Sequence, residues 1–149
     1  MQVTRLYRFS ASHRLHSPRL TEEQNRAVYG KCNNPFGHGH DYVLEVCAAG
    51  PVDSQSGLVI RVEDLDRLVE QQVLCAFHLK NLNHEVAEFF ESVPTSENLA
   101  ALIERKLRLS WRAAFPGGGP RLERVRLEET KRNVFELQGA SHESNQDRN

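Results

Sequence analysis

The segment from Val3 to Leu15 alternates in character with a period of two, and this alternation restricts the possible folds most. Phe9, Ala11, His13 and Leu15 all fall on one face of the pattern. Successive side chains of a strand point to opposite faces, so the alternation predicts a long β-strand with one face turned toward a core. We therefore expect His13 in an ordered, partly buried position.

The rest of the chain predicts an α+β fold with an antiparallel sheet, because helices are grouped between hairpin-linked strands. The polar segment from Ser17 to Lys31 indicates an extended loop with a turn of helix. The remaining predicted elements are two strands, two helices and two further strands. The first two strands cover Gly39 to Ala49 and residues 57–62. The first helix covers Leu65 to Ala76, and the second begins at Pro94 to Glu97 and is ended by Pro116 to Pro120. The last two strands cover Leu122 to Leu127 and Asn133 to Leu137.

These elements predict a sheet of about four strands with two helices on one face, in a single domain over residues 1–138. Residues 139–149 are rich in Ser, Asn, Gln, Asp and Arg, which predicts a disordered polar tail. Such a sheet leaves its edge strands uncovered, and pairing with another subunit is one way to cover them.

Composition excludes several functional classes. The 149 residues carry a formal charge of −1, without the basic excess typical of nucleic-acid binding. No apolar run approaches the roughly 20 residues that a membrane span needs, and the first residues lack a signal-peptide pattern. Three widely spaced cysteines form a poor disulfide framework and fit a reducing compartment. We expect a cytoplasmic protein without nucleic-acid or membrane partners.

The triplet His38-Gly39-His40 is the strongest chemical signal. Side chains at positions i and i+2 of a strand point to the same side and lie roughly 6.5–7 Å apart along the backbone. Both imidazoles can therefore converge on one ion. A catalytic zinc needs three protein ligands and an open fourth position. The third ligand could be His13, His16, His78 or His84. The period-two pattern favours His13, while the alternative interpretation of the triplet is two polar residues on a solvated face.

Four segments resemble the 6-pyruvoyltetrahydropterin synthase family, which also contains the 6-carboxytetrahydropterin synthases. They occur in the family's order, and the resemblance covers about Val3 to Leu137. The spacing Cys-x5-His-Gly-His resembles the pyruvoyl type, whereas the other branch typically has Cys-x3-His-Gly-His. The four segments are Phe9 to His13, Gly30 to Tyr42, Pro94 to Asn98 and Glu128 to Thr130.

The resemblance implies a zinc ion (Zn²⁺) on His13, His38 and His40. It also implies the tunnelling fold (T-fold), in which trimers close a twelve-stranded barrel and two trimers stack into a hexamer. Active sites would then lie between subunits of this homo-oligomer.

The resemblance further implies a pterin site. Cys32 matches the catalytic base, Glu129 matches the glutamate that anchors the pterin ring and belongs to the catalytic relay, and Thr95 and Ser96 match pocket residues. The implied enzyme is a carbon–oxygen lyase that eliminates triphosphate from 7,8-dihydroneopterin triphosphate, as a step of tetrahydrobiopterin biosynthesis. The alternative is a 6-carboxytetrahydropterin synthase that cleaves the side chain of the same substrate.

This chemistry requires a Cys32 thiolate, whose pKa must be lowered by nearby positive charge. Lys31, the zinc ion and a histidine are candidates for that charge. The triphosphate also needs cations, for which Arg5, Arg8, Lys31 and Arg61 are candidates.

One segment departs from the family pattern. Where the family usually has an Asp-His pair, this chain has His78 and Leu79, and leucine cannot transfer a proton. Three interpretations stay open: His78 acts as the missing histidine, His84 approaches from the following loop, or the relay is lost and the protein is a weak or inactive pterin- and zinc-binding member. Arg61 stands where the family often has Asp or Asn, and three outcomes stay open: altered loop packing, altered phosphate contacts, or no effect.

Overall fold

The two longest strands pair antiparallel along their whole length. In the computed structural model, which describes residues 1–139, β1 (Gln2–His13) lies against β2 (His38–Ala49). The register runs from Gln2 opposite Ala49 to His13 opposite His38. The end of β1 therefore meets the start of β2, and the histidines of both strands lie at one end of the sheet.

Three further strands complete a mixed five-stranded sheet in the order β3-β1-β2-β4-β5. The strand β4 (Arg121–Thr130) pairs antiparallel with β2, and β5 (Asn133–Gln138) pairs antiparallel with β4. The two-residue β3 (Lys80–Asn81) runs parallel to β1 beside Ala11 and Ser12. Both edges of the sheet are thus short or incompletely covered.

The helices form between β1 and β2 and between β2 and β4. The longest, α5 (Ser96–Ala114), is capped by the Thr95 hydroxyl, which accepts the backbone N–H of Asn98 at 3.2 Å. The helices are α1 (Glu22–Tyr29), α2 (Val62–Val69), which continues through a π-turn at Glu70–Leu74 into α3 (Cys75–Phe77), α4 (Leu82–Glu85) and α5 (Ser96–Ala114).

The core lies between one face of the sheet and the long helices. Alternate residues of β1 and β2, such as Phe9 and Leu44, are almost fully buried against Leu99, Ile103 and Leu107 of α5. Burial of each such side chain contributes about 1.5–3 kcal/mol. This packing fixes α5, and with it Ser96, against the histidine end of the sheet.

The sheet differs from the predicted four-stranded antiparallel one in two respects. Residues 57–62 do not form a strand: the segment is irregular, and Val62 begins α2. Its apolar run exists because Ile60, 6 % exposed, packs into the core from a loop. The parallel strand β3 was not predicted, since two residues are too short for a periodic signal.

The polar segment from Ser17 to Lys31 is more helical than predicted. Its helix α1 has a capping box, in which the Thr21 hydroxyl accepts the Gln24 backbone N–H and the Gln24 side chain accepts that of Thr21. This pattern is readable in sequence and could have predicted the helix.

Within residues 1–139, no helix has the length and apolar character required to cross a bilayer. The predicted disordered tail lies, beyond Gly139, outside the described residues.

Candidate metal and active site

Three histidine rings converge at the end of the β1–β2 pair. The ring centroids of His13, His38 and His40 lie 4.7–5.1 Å apart, and the ring planes are steeply inclined to one another. One ring nitrogen from each residue falls within 4.8 Å of the other two. The structure thus brings together the three residues chosen as ligands, whereas His16 lies past the strand end, with Nδ1 3.1 Å from Asn33 Nδ2.

The orientation of His13 is fixed by its second nitrogen. His13 is 1 % exposed, and its Nδ1 lies 2.8 Å from the carbonyl oxygen of Pro94. A carbonyl can only accept, so Nδ1 carries the proton and Nε2 presents a lone pair. Nε2 lies 3.1 Å from His38 Nε2. A carbonyl that holds the far nitrogen of a histidine is the usual support of a metal ligand.

Burial favours the neutral, metal-binding form of two of the three rings. Burial lowers the pKa of His13 and His40 from the ordinary value, so both rings are held neutral. His40 Nε2 is buried without a hydrogen-bond partner in the described part of the chain. Nitrogen ligands of a tetrahedral zinc lie about 3.4 Å from one another, given bonds of about 2.0–2.1 Å. The unpaired nitrogen, the spacing and the all-imidazole donor set fit a zinc ion.

A tight turn before β2 brings His38 against His13. Gly37 has a φ of +68° and donates its N–H to Asn34 O at 2.9 Å. A Cβ on Gly37 would lie 2.8 Å from the carbonyl oxygen of His13. Only glycine allows this approach of the two strands. A Cβ on Gly39, by contrast, would make ordinary contacts.

Cys32 lies in a short 3₁₀ turn, Gly30–Asn33, that is tied to the end of β1. The Leu15 N–H donates to Cys32 O at 2.8 Å, and Asn33 Nδ2 donates to Leu15 O at 2.8 Å. Burial, and then the charge of Glu129, raise the pKa of the Cys32 thiol. The described residues therefore do not produce the lowered Cys32 pKa that the proposed chemistry requires, and Lys31 is exposed. A dication in the histidine cluster would act in the opposite direction.

Glu129, near the end of β4, lies beside the cluster. Its Oε1 is 3.5 Å from His40 Nε2 and 4.0 Å from His13 Nε2. Ser96 Oγ donates to Oε1 at 2.6 Å, and Asn133 Nδ2 donates to Oε2 at 3.2 Å. Burial opposes the ionised form, but these hydrogen bonds and the nearby imidazoles hold the pKa of Glu129 below its ordinary value. The carboxylate is thus ionised, oriented and half-buried.

Of the two predicted pocket residues, Ser96 reaches Glu129 while Thr95 caps α5. Asn133 was missed by the sequence reasoning. It follows a turn after β4, and no pattern distinguishes it from an ordinary turn asparagine.

His78 and Leu79 extend the edge of β1. The Ser10 N–H donates to His78 Nδ1 at 3.1 Å, and the Leu79 N–H donates to Ser10 O at 2.7 Å. Leu79 has a φ of +59° and is 76 % exposed. One nitrogen of His78 is thus engaged by the backbone, and Leu79 offers an exposed apolar surface where a proton carrier was expected.

The other candidate residues have no shown role in this cluster. His84 is exposed on α4, and Arg61 precedes α2 with its Nε 3.7 Å from Asp64. Arg5 is committed to Asp66, with Nε and one Nη 2.9 and 2.8 Å from the two carboxylate oxygens. It is therefore a poor candidate for holding a triphosphate.

Comparison with known proteins adds independent information on the whole chain. The family model for 6-pyruvoyl tetrahydropterin synthase matches residues 2–140. The 6-pyruvoyl tetrahydrobiopterin synthase of Poecilia reticulata is 40 % identical over 137 residues, covering 92 % of this chain and 89 % of that protein. The enzyme of the same name from Homo sapiens is 38 % identical over 138 residues, covering 93 % and 91 %.

The fold agrees with these sequence matches. The structure of the Caenorhabditis elegans 6-pyruvoyl tetrahydropterin synthase superposes with a TM-score of 0.83 at 37 % identity, covering 94 % of this chain and 96 % of that one. The α+β class and the T-fold of the protomer are confirmed.

Proposed function

Because the chain belongs to the 6-pyruvoyl tetrahydropterin synthase family, we propose that it is a zinc-dependent lyase that eliminates triphosphate from 7,8-dihydroneopterin triphosphate. The observation that carries this proposal is the position of Glu129 Oε1, 3.5 Å from His40 Nε2. A carboxylate suited to the pterin ring thus lies beside the three-histidine cluster, so one substrate with a planar head and an oxygen-bearing side chain can reach both.

In this proposal Glu129 binds the amino-pyrimidine edge of the pterin. An ionised carboxylate accepts two N–H groups in one plane, which matches an amino group beside a ring N–H. Ser96 and Asn133 each occupy one lone pair of Glu129, and the remaining lone pairs are available to the ring.

A zinc ion held by His13, His38 and His40 would supply Lewis acidity toward the side-chain oxygens of the substrate. The chain's own residues would then move the proton. Cys32, half-buried in the turn that is tied to the end of β1, would accept a proton from a side-chain carbon of the substrate as a thiolate. His13 stays oriented through Pro94 and need not change its protonation.

We further propose that the protein assembles as a homo-oligomer, in the trimer-based hexamer implied by the family resemblance. The sheet supports this proposal, since β5 is an edge strand within residues 1–139 and β3 covers only two residues of β1. Exposed strand edges of this kind favour pairing with another chain.

A weak or altered activity is the second candidate. It is favoured by His78, whose Nδ1 is engaged by Ser10, and by the exposed Leu79. Without an Asp-His pair, deprotonation of Cys32 depends on the metal and on groups from outside the described protomer residues.

The test is incubation of the zinc-loaded protein with 7,8-dihydroneopterin triphosphate, with mass analysis of the product and measurement of released triphosphate. Release with a 6-pyruvoyl product supports the proposal, and a 6-carboxy product would assign the other branch of the family. Cys32→Ala should retain zinc and lose turnover by about 100-fold or more. If the protein binds the pterin but releases no triphosphate, the result supports the second candidate, a family member with weak or altered activity.

A further inference from the structure

Tyr42 carries a buried hydroxyl that has no use in the fold. The residue is 0 % exposed, and its ring stacks on Phe9 at 5.0 Å between centroids. Its hydroxyl has no hydrogen-bond partner among the residues that the structure describes. Burial of an unpaired hydroxyl is unfavourable, and phenylalanine would pack the same ring without that cost. The hydroxyl therefore calls for an explanation other than packing.

The Tyr42 side chain lies beside the histidine cluster. The Tyr42 ring is 5.6 Å from the His40 ring, and Tyr42 follows the metal-ligand triplet on β2. Burial raises the pKa of Tyr42, Ser96 opposes this effect, and the charge of Glu129 adds to it. His40 Nε2 lies 3.5 Å from Glu129 Oε1, to which Ser96 Oγ donates, so Tyr42 adjoins the Ser96–Glu129 pair through His40.

The hydrogen-bond inventory allows only one direction for a bond between Tyr42 and Ser96. Ionised Glu129 can only accept, so the Ser96 proton is committed to Glu129 Oε1. Ser96 Oγ keeps two lone pairs, and the Tyr42 O–H is a donor at neutral pH. A bond from the Tyr42 hydroxyl to Ser96 Oγ would complete a chain from Tyr42 through Ser96 to Glu129.

We propose that Tyr42 is a positioning residue for ligand binding, whose hydroxyl donates to Ser96 Oγ in the pterin complex and so fixes the orientation of Glu129. This inference rests on the proposed function. Linked hydrogen bonds strengthen one another, and a fixed Ser96 proton holds the carboxylate plane for the N–H pair of the pterin.

The test compares two tyrosine variants for neopterin affinity, thermal midpoint and zinc content. Tyr42→Phe removes the unpaired hydroxyl, whereas the matched control Tyr7→Phe removes one that donates to Asp66 Oδ1 at 2.8 Å, away from the site. We expect Tyr42→Phe to raise the Kd for neopterin about tenfold, the value of one hydrogen bond, with zinc retained and Tm unchanged or higher. Tyr7→Phe should lower Tm and leave the Kd unchanged.

A second measurement separates action through Ser96 from direct contact with the ligand. In a Ser96→Ala background, Tyr42→Phe should have no further effect on the Kd. If Tyr42→Phe weakens neopterin binding equally in the original protein and in the Ser96→Ala protein, the positioning role through Ser96 is overturned. It is also overturned if the Tyr42→Phe protein binds neopterin as tightly as the original. If the original protein binds no neopterin, the proposed function fails and this inference fails with it.

Discussion

The Nε2 atoms of His13 and His38 lie 3.1 Å apart on residues that face each other across β1 and β2. His13 donates through its other nitrogen to Pro94, so its Nε2 directs a lone pair toward His38. This lone pair is satisfied either by an N–H on Nε2 of a neutral His38 or by a cation that binds both nitrogens. The backbone pairing of the two strands thus holds two ring nitrogens where they can bind one proton or one metal ion between them.

Removal of the metal should lower the stability of the protein through this cluster. A tight chelator such as dipicolinate should lower the Tm, because a bound ion stabilises by about 4 kcal/mol at a thousandfold excess over its Kd. His38→Ala should bind zinc at least about 100-fold more weakly, and the chelator should no longer shift its Tm. His16→Ala is the matched control, and an equal zinc loss in both variants would contradict the assignment.

The two glycines around His38 should differ sharply in their tolerance of a methyl group. Gly37→Ala should lower the free energy of unfolding by about 2 kcal/mol or more and weaken zinc binding, because of its positive φ and the 2.8 Å approach to His13. Gly39→Ala should be near neutral in the same denaturant titrations, since its Cβ would meet Ala11 O at 3.6 Å. Equal effects would argue against the described turn.

Restoring an Asp-His pair should raise turnover if the relay is what limits activity. The double variant His78→Asp with Leu79→His should gain about 10- to 100-fold in kcat, the range of general acid–base catalysis. Histidine also tolerates the positive φ of position 79 better than leucine does. The control is His78→Asp with Leu79→Ala, and a gain of the same size there would show that the imidazole is not responsible.

Stability should depend on pH through Asp66. Hydrogen bonds from Arg5 lower the pKa of Asp66 below 3.8, against the effect of burial, and Tyr7 adds to the lowering. A carboxyl with a depressed folded pKa stabilises the fold above its unfolded pKa and loses that effect as the pH falls through the folded value. Asp66→Asn should therefore destabilise at pH 7 and converge with the original protein in thermal unfolding as the pH falls to the folded pKa of Asp66. A constant difference down to that pH would contradict this ion pair.

The sequence predicts the histidine cluster because the face on which a side chain lies follows from the alternation along its own strand. Alternation places His13 on the face of Phe9, and His38 and His40 share a face by the same rule. The pairing of His13 with His38 needs only that β1 and β2 be neighbours. The strand predicted over residues 57–62 was wrong because a short apolar run has the same pattern in a strand and in a loop that buries Ile60.

The supporting residues could not be predicted in the same way. Asn133 reaches Glu129 only because the β4–β5 turn brings it back, and Tyr42 reads as an ordinary core residue of β2. The effect of burial on the Cys32 pKa likewise depends on tertiary packing around a short turn. Such roles arise from contacts across the fold that carry no sequence period.

The most direct test of the metal centre is a crystal structure of the protein with diffraction data on both sides of the zinc absorption edge. We expect one anomalous peak per chain, within about 2.0–2.1 Å of a ring nitrogen of each of His13, His38 and His40. A zinc-soaked crystal with no peak at this cluster, or with the peak on other side chains, would contradict the account.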